Sequence, residues 1–68
     1  MSKKIHNNMR RLRFDCDEMS QQALADLVGV TRQTISAIEK DKYSPSLEVA
    51  FKISEALNKT LLEVFRFE

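Results

Sequence analysis

Sixty-eight residues, 43% of them hydrophobic and 31% charged, fit one small domain, and a chain this short buries only about 60% of the surface it exposes when unfolded. One cysteine excludes an internal disulfide, and one histidine without neighbouring ligand types excludes a zinc site; no cofactor is expected. The formal charge of +1 says nothing about partners by itself, but its distribution does: residues 1–13 hold Lys3, Lys4, Arg10, Arg11 and Arg13 with no acid, whereas Asp15, Asp17 and Glu18 follow at once.

Apolar runs are too short for a membrane span, and the N-terminus lacks a signal-peptide core, so a cytoplasmic location is expected. The 3.6-residue period dominates and predicts an all-helical domain over residues 1–68. A short first helix starts near Asn7 or Asn8, either of which can cap it, with Met9 and Leu12 on one side. The polar run "FDCDE" reads as a loop in which Cys16 has no reactive role, and Phe14 and Met19 read as core or rim. Ser20 caps a second helix with Ala23, Leu24, Leu27 and Val28 inward, Thr31 caps a third, and Ser46 after Pro45 caps a fourth. Asn58 can end the fourth helix in a left-handed turn. Thr60 and Glu63 form a capping box for a last short helix, "LLEVF". Beyond it "VFRFE" shifts toward period two; it either pairs with "SKKIH" as a two-stranded ribbon or the ends fray.

Gly29 is the only glycine, and helical patterning resumes immediately after it. A glycine there can take positive φ at no steric cost, Val30 buries in the corner, and two short helices joined this way make a helix-turn-helix over residues 20–40. Ala25 is small where the two helices would approach most closely. On a wheel of about 100° per residue, Ile35 and Ile38 set the inward direction of the third helix. Gln33, Ser36, Ala37 and Lys40 then point away from it, Arg32 flanks them, and Glu39 lies at the boundary. Such a face suits a DNA major groove: Gln pairs bidentately with adenine, Arg with guanine or phosphate, and an Ala methyl meets a thymine methyl. Gln21 at the start of the second helix can hold a phosphate, and Lys40, Lys42, Tyr43 and Ser44 offer further backbone contacts, with Thr34 added to that set.

Residues 21–40, "QQALADLVGVTRQTISAIEK", resemble the helix-turn-helix of the phage repressor and Cro family, also called Xre-type. The slots that pattern reserves for apolar or small residues are filled by Leu24, Ala25, Gly29, Val30, Ile35 and Ile38. The run "YSPSLEVAFKISEAL" resembles the fourth helix of the short members, so the similarity spans roughly residues 8–65. It implies a five-helix, lambda-repressor-like domain that binds double-stranded DNA sequence-specifically as a transcriptional regulator, usually as a homodimer; a repressor is expected, with an activator as the alternative. It also implies base contacts from Arg32, Gln33, Ser36 and Ala37, a phosphate contact from Gln21, and a structural ion pair between Arg13 and Glu39, with Arg10 as the alternative partner. The loop before Ser20 is one residue longer than usual and acidic, and the net charge is mild for such a protein.

The dimer surface is expected in residues 51–68. Phe51, Leu57, Leu61, Val64, Phe65 and Phe67 exceed what one small core needs, and Leu61 beside Leu62 cannot both point inward. Leu61, Phe65 and Phe67 are placed near the two-fold axis. Two readings compete with a homodimeric repressor: the DNA-binding antitoxin of a toxin–antitoxin pair, and a protein-interaction adaptor. An adaptor has no need of a cationic groove face. No nucleophile, base and orienting group can be assembled, so no enzyme and no small-molecule substrate are expected.

Overall fold

The computed structural model describes residues 3–68; of the expected ribbon segment "SKKIH", Ser2 lies outside the described residues. Its elements run β1 (Ile5–Asn7), α1 (Met9–Asp15), α2 (Gln21–Val28), α3 (Arg32–Glu39), α4 (Leu47–Ala56), α5 (Leu61–Val64) and β2 (Phe65–Phe67). The five helices form at the expected places because their caps are encoded locally. Ser20, Thr31, Ser46 and Thr60 each take extended backbone, and each side chain accepts the N–H three residues on. The Thr60–Glu63 box closes in both directions. At the first helix the side chain of Asn8 does not cap; it donates to the Glu63 carbonyl at 3.1 Å, and Asn7 Oδ1 accepts the Met9 N–H instead.

The helix ends are equally local. Gly29 sits at φ 84°, and its N–H and that of Val30 both reach the Ala25 carbonyl. Asp41 and Asn58 take left-handed backbone after α3 and α4. In each case that residue's N–H and the next bond back in the paired pattern of a Schellman ending: Asp41 to Ile38 and Lys42 to Ala37, then Asn58 to Glu55 and Lys59 to Ser54. Helix α1 runs through Asp15, so Phe14 and Asp15, expected in the loop, are helical. The long acidic loop is absorbed by two consecutive left-handed residues, Asp17 and Glu18, and closes where the Met19 N–H reaches the Arg13 carbonyl.

The core gathers Met9, Leu12, Leu24, Ala25, Val28, Ile35, Ile38, Ala50, Ile53, Leu57, Val64 and Phe65, with α2 packed on both α3 and α4. Three apolar expectations fail. Leu27 is 64% exposed and Ala23 is exposed, because the α2 face that turns inward is Gln21, Leu24, Ala25 and Val28, the i, i+3, i+4, i+7 set. Phe14, carried past the last buried turn of α1, is also exposed. The chain ends do pair: β1 and β2 are antiparallel with Ile5 opposite Phe67 and Asn7 opposite Phe65.

Candidate nucleic-acid interface

The helix-turn-helix places α3 with Ile35 and Ile38 in the core and the opposite face toward solvent. Arg32, Gln33 and Lys40 are exposed, and their side chains have no hydrogen-bond or ion-pair partner among the described residues. Ser36 and Ala37 are half-buried between them. Long polar groups thus stand around a low central patch, which lets a backbone approach base edges while the long side chains reach sideways.

Behind this face lies a polar cluster that fixes α3. Arg13 of α1 donates from Nε to Glu39 Oε2 at 2.6 Å and from Nη2 to Oε1 at 3.0 Å, while its Nη1 donates to the Met19 carbonyl at 2.8 Å. Arg10 is not the partner. Gln21 Nε2 donates to the same Glu39 Oε1 at 3.1 Å. The two charged side chains are only 13% and 7% exposed, so a bidentate pair with its remaining lone pairs engaged is the arrangement that makes their burial tolerable. One carboxylate therefore ties α1, the α2 N-terminus and α3 together. Gln21 has one amide proton engaged by Glu39 and a second left over. Thr34 has its hydroxyl 3.0 Å from that of the cap, Thr31, which limits its use to a ligand.

Sequence reasoning missed a second clamp at the same C-terminal end of α3. Asn7 Nδ2 donates to the Ile38 carbonyl at 2.9 Å and lies 3.3 Å from Asp41 Oδ1, and His6 Nδ1 lies 2.8 Å from Asp41 Oδ2. Strand β1 so holds the turn that presents Lys42, Tyr43 and Ser44, all exposed. In the expected dimer region, Phe67 is 62% exposed and Leu61 half-buried, but Phe65 is 7% exposed and belongs to the subunit's own core. It points inward because β2 starts directly on the last turn of α5, which delivers Val64 and Phe65 to the same interior. Phe65 survives at the surface only as the floor of an apolar groove walled by Ile5, Pro45, Leu47 and Leu61.

The helix-turn-helix family model matches residues 18–64. The chain belongs to the Xre/Cro-like helix-turn-helix family of DNA-binding transcription regulators. That is not an enzyme family. An uncharacterised HTH-type transcriptional regulator of Methanocaldococcus jannaschii is 48% identical over 50 residues, covering 74% of this chain and 76% of its own length. The uncharacterised HTH-type regulator YgzD of Bacillus subtilis is 51% identical over 49 residues, covering 72% and 74%. Among solved structures, the transcriptional regulator VanUg superposes with a TM-score of 0.80 at 26% identity, over 100% of this chain and 89% of that one. No helix among the described residues is long and apolar enough to cross a membrane.

Proposed function

We propose that this helix-turn-helix regulator is a sequence-specific repressor that binds a two-fold operator as a homodimer, acting in the cytoplasm. The observation that carries the reading is the outer face of α3, whose long side chains have no partner among the described residues while its inner face is fixed by Ile35, Ile38 and the Glu39 cluster. Gln33 pairs with an adenine edge, Arg32 grips guanine or phosphate, and Ala37 meets a thymine methyl with Ser36 beside it. Gln21, Lys40, Lys42, Tyr43 and Ser44 anchor the duplex backbone without reading it, and Thr34 adds a weaker contact. Two subunits associate through Leu61, Phe67 and the groove above Phe65. The half-sites then lie about one helical turn, roughly 34 Å, apart on one face of the duplex. Repression follows from occupying promoter DNA.

Selection from a random duplex library followed by footprinting tests this. A two-fold consensus with that spacing is expected; no enrichment overturns DNA reading, and a single half-site overturns the dimer. Sedimentation at micromolar concentration gives an independent check, with a dimer expected for the wild type and a monomer for Phe67→Asp.

A further inference from the structure

Beside the turn that follows α3, the chain's first described residues complete a shallow groove lined by Lys3, Lys4, Lys42, Tyr43, Ser44 and Phe67. Lys3 and Lys4 from the start of the chain and Lys42 from the turn after α3 all line it, and none has an ion-pair partner among the described residues. Among the described residues that line it, Asp41 alone carries a side-chain carboxylate, and both its oxygens already lie against His6 and Asn7. The groove is built rather than incidental. Lys4 exchanges backbone hydrogen bonds with Glu68 at 2.9 and 3.0 Å, and Lys3 Nζ sits 5.7 Å from the Phe67 ring centroid. The His6 and Asn7 contacts pin the strand to the turn.

We propose that this groove is a second phosphate-binding site, in which Lys3 and Lys4 of the terminal ribbon join Lys42 in gripping the DNA backbone. The inference rests on the reading of α3 as the groove-entering helix, because the loop 42–44 that forms one wall belongs to the turn that ends α3. The chemistry points to phosphodiester oxygens rather than to bases: lysines are flexible point charges, and the groove lacks the planar amide or guanidinium forks that discriminate base edges. Tyr43 and Ser44 supply hydroxyls that can donate to the same oxygens. The ribbon thus has a role besides closing the fold. It carries cations to the duplex in a position set by the end of the recognition helix.

The test is the salt dependence of binding by the full chain to the selected operator and to a scrambled duplex, from about 50 to 200 mM salt. For Lys3→Ala/Lys4→Ala, affinity for both duplexes should fall by the same factor. The slope of log K against log salt should flatten by about 0.9 for each phosphate no longer neutralised in each subunit. Lys3→Arg/Lys4→Arg should restore the wild-type slope, which a purely structural defect would not allow. A double alanine variant with wild-type affinity and slope overturns the ribbon's role and leaves α3 untouched. Loss confined to the selected operator also overturns it, since these lysines would then be reading sequence. A wild-type chain that binds neither duplex overturns both readings together.

Discussion

The helix-turn-helix half and the closing half, made of α5 and the β1–β2 ribbon, treat the same kinds of residue in opposite ways. Around α2 and α3, one ion pair is sunk to 13% and 7% exposure, while the long polar groups on the outer face of α3 have no partner among the described residues. Around α5 and the ribbon, several polar groups are satisfied by one another at the surface. Arg66 bonds to Glu68 and Asn8, and Thr60 and Glu63 cap one another. Beside Lys3 and Lys4, unpaired among the described residues, that half also leaves apolar surface open: Leu62 is 85% and Phe67 62% exposed. Free hydrogen-bonding groups on a rigid helix suit a partner with patterned donors and acceptors, whereas free apolar surface suits association of protein with protein. The recognition helix thus offers polar groups to a partner, whereas the closing half offers apolar surface together with the cations of its ribbon.

The largest expected effect breaks the buried end of that contrast. Arg13→Met strips Glu39 of its charged partner in a low-exposure site and should cost about 3–5 kcal/mol, a large share of the roughly 3–10 kcal/mol expected for a domain of this size. Arg66→Ala removes an ion pair whose side chains are 46% and 64% exposed, and should cost under about 1 kcal/mol. Urea unfolding of both variants measures the difference. Arg13→Met/Glu39→Met should recover much of the loss, because the penalty lies in the orphaned charge rather than in the missing attraction. Equal small losses for Arg13→Met and Arg66→Ala would mean that water reaches Glu39 and that the halves do not differ in this respect.

The same contrast explains what was legible in the sequence. Caps and the glycine turn act within three or four residues, so Ser20, Gly29, Thr31, Asn58 and the Thr60–Glu63 box could all be read directly. The outward face of α3 was equally plain, since two buried isoleucines fix its rotation. Helical phase in α2 was harder. Leu27 looks like core by type, and only the set Gln21, Leu24, Ala25, Val28 shows that a glutamine occupies the inward stripe and so meets Glu39. Residue type misled because the polar member of the stripe is satisfied by a partner 18 residues away. The acidic loop hid the end of α1, as polar residues at a helix terminus and in a turn look alike. Period two correctly put Phe65 and Phe67 on one side of a strand but could not show that α5 covers the first of them. The clamp of His6 and Asn7 on Asp41 left no local signal, because it spans 34 and 35 residues and exists only once the ribbon has formed.

A second prediction sharpens the outer face of α3. Gln33→Ala should cost about 1–3 kcal/mol at the selected operator and relax preference at one base pair per half-site. Lys42→Ala should instead weaken binding to all sequences and flatten the salt slope by about 0.9 per phosphate left without its cation. Competition binding with operator and scrambled duplex separates the two; equal loss on both duplexes for Gln33→Ala would remove it from the reading face. Smaller still is the effect of Gly29→Ala. A Cβ there meets nothing within 4 Å, so the cost comes only from φ 84° and should be about 1–2 kcal/mol of stability. Because the strain sits in the turn between α2 and α3, operator affinity at a temperature where the variant stays folded should be nearly unchanged. A large affinity loss there would show that the corner, and not only the helix face, sets recognition.

The smallest effect lies in the closing half and depends on pH. The Glu63 carboxylate accepts the Thr60 N–H at 2.9 Å, and this backbone hydrogen bond, helped by the Thr60 side chain and by Lys59, holds its pKa below the usual glutamate value despite a slight opposing effect of burial. A carboxyl whose pKa is lower folded than unfolded binds more protons in the unfolded chain. Its contribution to stability is therefore complete above the unfolded value and disappears as pH falls through the folded one. Glu63→Gln keeps an oxygen that can accept the same N–H and removes the titration. Thermal unfolding from neutral pH down to about pH 3 should then fall less steeply for Glu63→Gln than for the wild type, with the curves closest at the acid end. The difference should be small, since the group is fully open to solvent. Identical steepness would show that this capping box adds nothing measurable to the acid sensitivity of the domain.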